Sequence, residues 1–173
     1  AVAALAAEGI TEAVGLVLAP HYSGFSVGEY QRRAAEAGAE VGLRMHAIEN
    51  WHLQPAYLDV LTDAVAEARI GQPEHHKVLF TAHSLPERVL VDDPYPEELH
   101  QSASIVADRL GLPDWGLAWQ SAGRTPEPWR GPDILEVMRD LAAGGTQGVV
   151  VCAQGFTADH LEVLYDLDIE AAA

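Results

Sequence analysis

Five short apolar runs, at residues 14–19, 42–48, 78–82, 116–119 and 148–152, alternate along the chain with stretches of helical character. Each run is four to seven residues long and nearly continuous rather than alternating, the pattern of strands covered on both faces. Between and after them lie the helical stretches 26–37, 55–69, 94–110 and 132–143, then a last one from about 158 to 169. Ser26 suits an N-cap with Glu29 in the first turn, while Pro55, Pro94 and Pro132 suit first-turn positions. Gly38, Gly111 and Gly144 stand where helices are expected to stop. Strict βαβα alternation predicts an α/β lobe: a parallel sheet of four to five strands, right-handed crossovers and helices on both faces. Ligands in such folds bind beyond the carboxyl ends of the strands, so the loops that follow strands carry the search for chemistry.

Charge narrows the choice of partner. The 173 residues hold 26 Asp and Glu against 10 Lys and Arg, a formal net charge of −16. Counterion release cannot draw so acidic a surface onto nucleic acid. No apolar run approaches the roughly 20 residues of a membrane span, so no integral membrane segment is expected. The one cysteine excludes an internal disulfide and suits a reducing compartment, which makes the cytoplasm the expected location. The chain opens on AVAALAAEG, the last turns of a helix before Gly9, and closes on EAAA inside or just after another. Both ends are those expected of a fragment or of a domain trimmed at its two sides.

The strand exits hold histidines. Strand one leads into Pro20-His21-Tyr22-Ser23, strand three into His83-Ser84-Leu85-Pro86, and strand five into Gly155 and then Asp159-His160. No GxGxxG turn or Walker loop is present, so nothing supports a dinucleotide or nucleoside triphosphate site. A histidine at a strand end is often a hydrogen-bonded core residue. At a parallel-sheet exit, neutral imidazole can equally bind a metal or take a proton near pH 7, and His83 is placed for either.

In the last helical stretch Glu162, Asp166 and Glu170 recur every fourth residue. On a helix they form one acidic row about 12 Å long. Like charges at this spacing destabilise a helix by a few tenths of a kcal/mol per pair unless solvent or a cation relieves them. One reading is a solvated outer face; the other is a track along which hard oxygen ligands pass a divalent ion.

Other residues carry less. Cys152, inside a strand, suits a buried small hydrophobe. Ser84 lacks the glycines of a nucleophile elbow. His75 and His76 follow Pro73 in a polar stretch expected to be solvated. Tyr22 and Trp129 could wall a flat aromatic ligand, and core packing accounts for each equally well.

Taken in order, Thr81-Ala82-His83-Ser84-Leu85-Pro86, Asp93-Pro94-Tyr95-Pro96, Gln120-Ser121, the Gly123-to-Trp129 stretch, and Gly155-Phe156 followed by Asp159-His160-Leu161-Glu162 resemble ferrochelatase. The resemblance runs from about Val14 to Glu170, and the Gly123-to-Trp129 stretch is most similar to the bacterial branch acting on coproporphyrin III rather than protoporphyrin IX.

That resemblance implies a chelatase-like lobe that inserts ferrous iron into a porphyrin in haem synthesis. It places His83 and Glu162 on opposite sides of the porphyrin centre as metal ligands or proton acceptors, without dividing the two roles. Asp166 and Glu170 continue from Glu162 as a metal path on a helix widened into a π-type turn. Trp129, Ser121 and Tyr22 are the residues expected to meet the macrocycle. Fe²⁺ enters as substrate, with no tightly bound cofactor. One cysteine cannot supply the four ligands of the iron–sulfur cluster that some members carry.

The resemblance also implies what the chain does not span. Family members have two similar lobes, and residues 1–173 match the C-terminal one, without the N-terminal lobe or the final helix. Ala153 and Gln154 depart from the proline and apolar residue usual after the last strand. Two functions follow as expectations. One is a catalytic lobe completed by the other lobe or by a second copy of the chain. The other is a metal- or porphyrin-binding module without turnover.

Overall fold

The most apolar run becomes the centre of the molecule. In the computed structural model, which describes residues 1–172, Val78, Leu79, Phe80, Thr81 and Ala82 are all buried in strand β3 (His76–His83). Strand β4 (Trp115–Gln120) pairs with one side of β3 and β5 (Gly148–Cys152) with the other, both parallel. Side chains alternate across the sheet, so Val78 and Phe80 face one layer and Leu79 the other. Val78, Phe80, Val150 and Cys152 pack against Leu58, Leu61 and Val65 of α3 (Pro55–Ala68) and Ala103 and Val106 of α4 (Tyr95–Leu110). Leu79 and Ala118 pack against Ile134 of α5 (Ile134–Ala143). Each buried Val, Leu, Ile or Phe among them contributes about 1.5–3 kcal/mol by leaving water. Burial pushes the Cys152 thiol up to about 12, so it behaves as a small hydrophobe.

The remaining two strands stand apart. Strands β1 (Glu12–Leu16) and β2 (Arg44–Ile48) form their own parallel pair, flanked by α1 (Val2–Ala7) and α2 (Val27–Glu40). The architecture is therefore α/β with parallel strands, as the alternation predicts, with its hydrogen bonding divided into a two-stranded and a three-stranded sheet. The expectation that every strand is covered on both faces holds for β3 and fails for β1. Val14, Leu16 and Leu18 lie on one side of that strand's line at 65%, 51% and 72% exposure, and Ile48, opposite Leu16, is also exposed.

Helix α4 holds the two sheets together through polar groups. Glu98 is buried and accepts the Tyr22 N–H at 2.6 Å and the Asn50 amide N–H at 2.5 Å. Nδ1 of buried His52 lies 3.6 Å from the same carboxylate. Asp93, just before α4, takes the Gly24 N–H at 2.8 Å and the Ser23 hydroxyl at 3.2 Å. The loops leaving β1 and β2 are thus fixed to the helix that also packs on β3.

Several local expectations shift by a turn. Helix α2 runs through Gly38 to Glu40. Glycine is required there by close approach, not termination, because a Cβ would stand 2.5 Å from the Leu43 carbonyl oxygen. Gly38→Ala is expected to lower stability by about 1–3 kcal/mol, the scale of overpacking; an unchanged urea midpoint would contradict that contact. Helix α5 starts at Ile134, after Asp133 rather than Pro132, because the Asp133 carboxylate accepts the Leu135 N–H at 2.9 Å. Gly111 closes α4 in the left-handed region, whereas after α5 that conformation falls to Gly145 instead of Gly144. His76 opens β3 rather than lying in a solvated loop, with Nδ1 bonded to the Pro73 carbonyl at 2.7 Å.

Candidate active site

His83 is the last residue of β3, level with Gln120 on β4, so the central strand delivers an imidazole to the open end of the sheet. Its Nδ1–H donates to the carbonyl of Ser84 at 2.5 Å. That bond fixes the ring and leaves Nε2 as the free nitrogen. Behind it, the Tyr95 hydroxyl donates to the carbonyl of His83 at 3.3 Å. Gly155 packs so tightly beside this strand that a Cβ would meet that of Ala82 at 2.6 Å, and its N–H donates to Thr81.

Glu162 arrives from the other direction. Helix α6 (Leu161–Val163) begins with His160 as N-cap, whose Nδ1 accepts the Glu162 N–H at 3.2 Å. The helix then widens into a π-helical segment, Leu164–Ala171. Glu162 Oε2 comes to 3.6 Å from His83 Nε2, with both side chains partly exposed. That gap is too long for a good hydrogen bond. Metal bonds to nitrogen and carboxylate oxygen are each about 2.0–2.2 Å, so one small dication fits between the two atoms. A proton carried by either group suits the same place.

The rest of the acidic row is held unevenly. Asp166 accepts a hydrogen bond from the hydroxyl of Ser121. Ser121, at the exit of β4, has φ +60°, a left-handed conformation costly for a residue with a Cβ. Glu170 faces the same opening as Glu162, Asp166, Ser121 and Arg124, a cleft of about 470 Å³. Among the described residues, no three His, Cys, Asp or Glu side chains converge as a metal cage. His83 and Glu162 form a close pair, and Asp166 and Glu170 line the same cleft as Glu162.

In a second cleft, of about 450 Å³, His83 shares the wall with His21, Phe25, Tyr30, Arg33 and Tyr95. The pair thus stands between an acidic opening and a largely aromatic one. His21 is 2% exposed; burial, aided by the charge of neighbouring His52, pushes its imidazole down to about 3.

Trp129 and Tyr22 line neither cleft. Trp129 lies against Gly123 and donates its indole N–H to Thr125 at 2.7 Å. The Tyr22 ring lies against Gly28 at the start of α2. Phe25, Tyr30 and Arg33, which do line the second cleft, were not singled out by sequence. The only sequence signal at Arg33 is its i,i+4 spacing from Glu29, which it meets at 2.7 Å.

The ferrochelatase family profile matches residues 1–173. The coproporphyrin III ferrochelatase of Bacillus subtilis (strain 168) is 44% identical over 98% of this chain and 57% of its own length. A ferrochelatase from Herpetosiphon aurantiacus is 45% identical over 95% of the chain and 56% of its own length. A coproporphyrin III ferrochelatase from Halalkalibacterium halodurans is 43% identical over 94% and 54%. The chain spans little more than half the length of these curated relatives. With a family match along its whole length, and with His83 and Glu162 brought face to face at the end of the central strand, the chain belongs to the ferrochelatase family.

Proposed function

We propose that this chain is the metal-handling lobe of a chelatase, a lyase that inserts Fe²⁺ into coproporphyrin III in cytoplasmic haem synthesis. The observation that carries the reading is the His83 Nε2 to Glu162 Oε2 pair, 3.6 Å apart between two clefts. Insertion requires two pyrrole N–H protons to leave as one dication enters, so charge balances only if two protons find acceptors. An imidazole lone pair and a carboxylate supply two acceptors at one point. The ion approaches from the Glu162, Asp166 and Glu170 side, where carboxylates are hard ligands. The macrocycle enters the aromatic cleft. Having only two protein ligands favours transfer, because a complete cage would hold the ion as a resident.

The preference for coproporphyrin III rests on the names of the Bacillus and Halalkalibacterium relatives. Mixing protein, Fe²⁺ or Zn²⁺ and coproporphyrin III, then following the metalloporphyrin spectrum, tests the reading. Turnover supports it. Porphyrin and metal binding without insertion, with the remaining length of the relatives supplied, identifies a binding module instead.

The reading extends to the bare face of β1. The relatives' additional length supplies a second lobe that covers Val14, Leu16, Leu18 and Ile48. A pair of strands with an open apolar face is too small to stand as a finished layer. Leu18→Asp is expected to leave the urea midpoint of the 173-residue chain nearly unchanged. In protein that carries the additional length, the same change buries an unpaired charge and lowers stability by several kcal/mol. Equal effects in both would remove this role, and sedimentation as a dimer abolished by Leu18→Asp would assign the face to a second copy.

A further inference from the structure

A chain of buried side chains leads from the loop after β5 to the cleft wall, and its hydrogens can be assigned by counting donors. Gln154, fully buried, donates its amide N–H to the Leu99 carbonyl at 3.0 Å, so the other end of that amide, Oε1, is an acceptor. Ser102 Oγ lies 3.0 Å from Gln154 Oε1 and 2.8 Å from His21 Nε2. A hydroxyl has one proton, and the Glu98 and Leu99 carbonyls, each at 3.2 Å, are longer acceptors for it than Gln154 Oε1, which would otherwise be buried without a donor. If Ser102 gives it to Gln154 Oε1, its oxygen can only accept from His21, and His21 Nε2 must carry the hydrogen. His21 Nδ1 is then a bare lone pair, and it has no hydrogen-bond partner among the described residues.

We propose that Gln154 is a positioning residue that, through Ser102, fixes His21 as its Nε2–H tautomer in the wall of the cleft shared with His83. This goes beyond the His83 and Glu162 roles, and its bearing on ligand binding rests on the reading that the cleft takes a porphyrin. Three anchors make the device specific. The Gln154 carbonyl accepts the Tyr57 hydroxyl at 2.6 Å, which fixes the backbone from which the amide projects. Gly155, the next residue, is bonded to Thr81 two positions before His83, so the same loop braces both histidines. The rings of Tyr57 and Tyr95 stand edge-on to His21 at 6.1 and 6.5 Å, leaving the imidazole little freedom to turn. An apolar side chain at position 154 would free the Ser102 proton to divide between His21 Nε2 and the Glu98 and Leu99 carbonyls, and the opposite tautomer would become available.

Two-bond ¹H–¹⁵N correlation spectra of the ¹⁵N-histidine-labelled chain test the assignment. His21 is expected to show a protonated Nε2 and an unprotonated Nδ1, unchanged from pH 8 to pH 5. Gln154→Met is expected to populate the Nδ1–H form, whereas Ser102→Thr, which keeps the hydroxyl, retains the original pattern. An Nδ1–H or averaged signal in the unaltered chain overturns the proposal even if no variant folds, as does a Gln154→Met spectrum identical to it. Coproporphyrin III fluorescence quenching then reads the consequence: Gln154→Met is expected to weaken binding about fivefold, the scale of one misplaced buried hydrogen bond. If the unaltered protein with its full length binds no porphyrin while the tautomer pattern holds, the functional reading fails and the positioning role stands.

Discussion

Replacing His83 with alanine is expected to slow metal insertion about 10²–10⁴-fold in insertion-competent protein, the range for losing a positioned acid–base group. Glu162→Gln keeps the shape and a ligand oxygen but loses the charge, and a fall of similar size is expected. The informative case is the double variant. Groups that act as a unit are strongly non-additive, so His83→Ala with Glu162→Gln should be hardly slower than either alone. Steady-state rates of metalloporphyrin formation check this. Multiplying losses would mean that the two side chains, 3.6 Å apart, serve separate steps. Because His83 is held by the Ser84 carbonyl and its ring is partly exposed, its loss should leave the urea midpoint within about 1 kcal/mol of the parent.

Acid is expected to unfold the chain steeply, with His21 a main cause. Its imidazole titrates near 3 when folded, held down first by burial and then by the charge of His52, against about 6.5 when unfolded. Above pH 6.5 both states leave His21 neutral, and it has no effect on stability. As pH falls from 6.5 towards 3 the unfolded chain takes up a proton that the folded chain refuses, and folding loses ground. The full interval corresponds to up to about 5 kcal/mol, comparable with the whole stability of a marginal domain. Urea unfolding at pH 7 and pH 4, for the parent and for His21→Asn, measures it. A parent slope much steeper than the variant's is the expected result; parallel slopes would contradict the burial of an uncharged His21.

What the sequence disclosed follows from the range of each interaction. The apolar run at 78–82 and its helical neighbours are local patterns, and they led to β3, to the His83 strand exit and to a buried Cys152. The acidic row was legible because i,i+4 spacing survives in the π-helical segment well enough for Glu162, Asp166 and Glu170 to share one cleft. The division into two sheets was not legible, since strand adjacency depends on contacts between residues dozens of positions apart. The bare face of β1 escaped for the same reason: Val14, Leu16 and Leu18 have the composition of a covered strand whatever covers them. Glu98 in a helix looks like solvated surface, and only the fold shows it accepting Tyr22 and Asn50 from two other loops. Gln154 stood out as a departure from its family, but its partners Ser102 and Leu99 lie more than fifty residues away. For Tyr22 and Trp129 the sequence left a ligand wall and core packing as equal accounts, and the fold sets Tyr22 against Gly28 and Trp129 against Gly123.

On the proposed function, His83 and Glu162 meet one metal ion on its way into a porphyrin. Zinc-edge X-ray absorption of the Zn²⁺-loaded protein reads that contact directly. The predicted spectrum has imidazole nitrogen and carboxylate oxygen scattering at about 2.0–2.2 Å. The imidazole component should vanish in His83→Ala, and zinc affinity should fall in Glu162→Gln. An unchanged imidazole signature in His83→Ala would place the ion at another histidine and contradict the account.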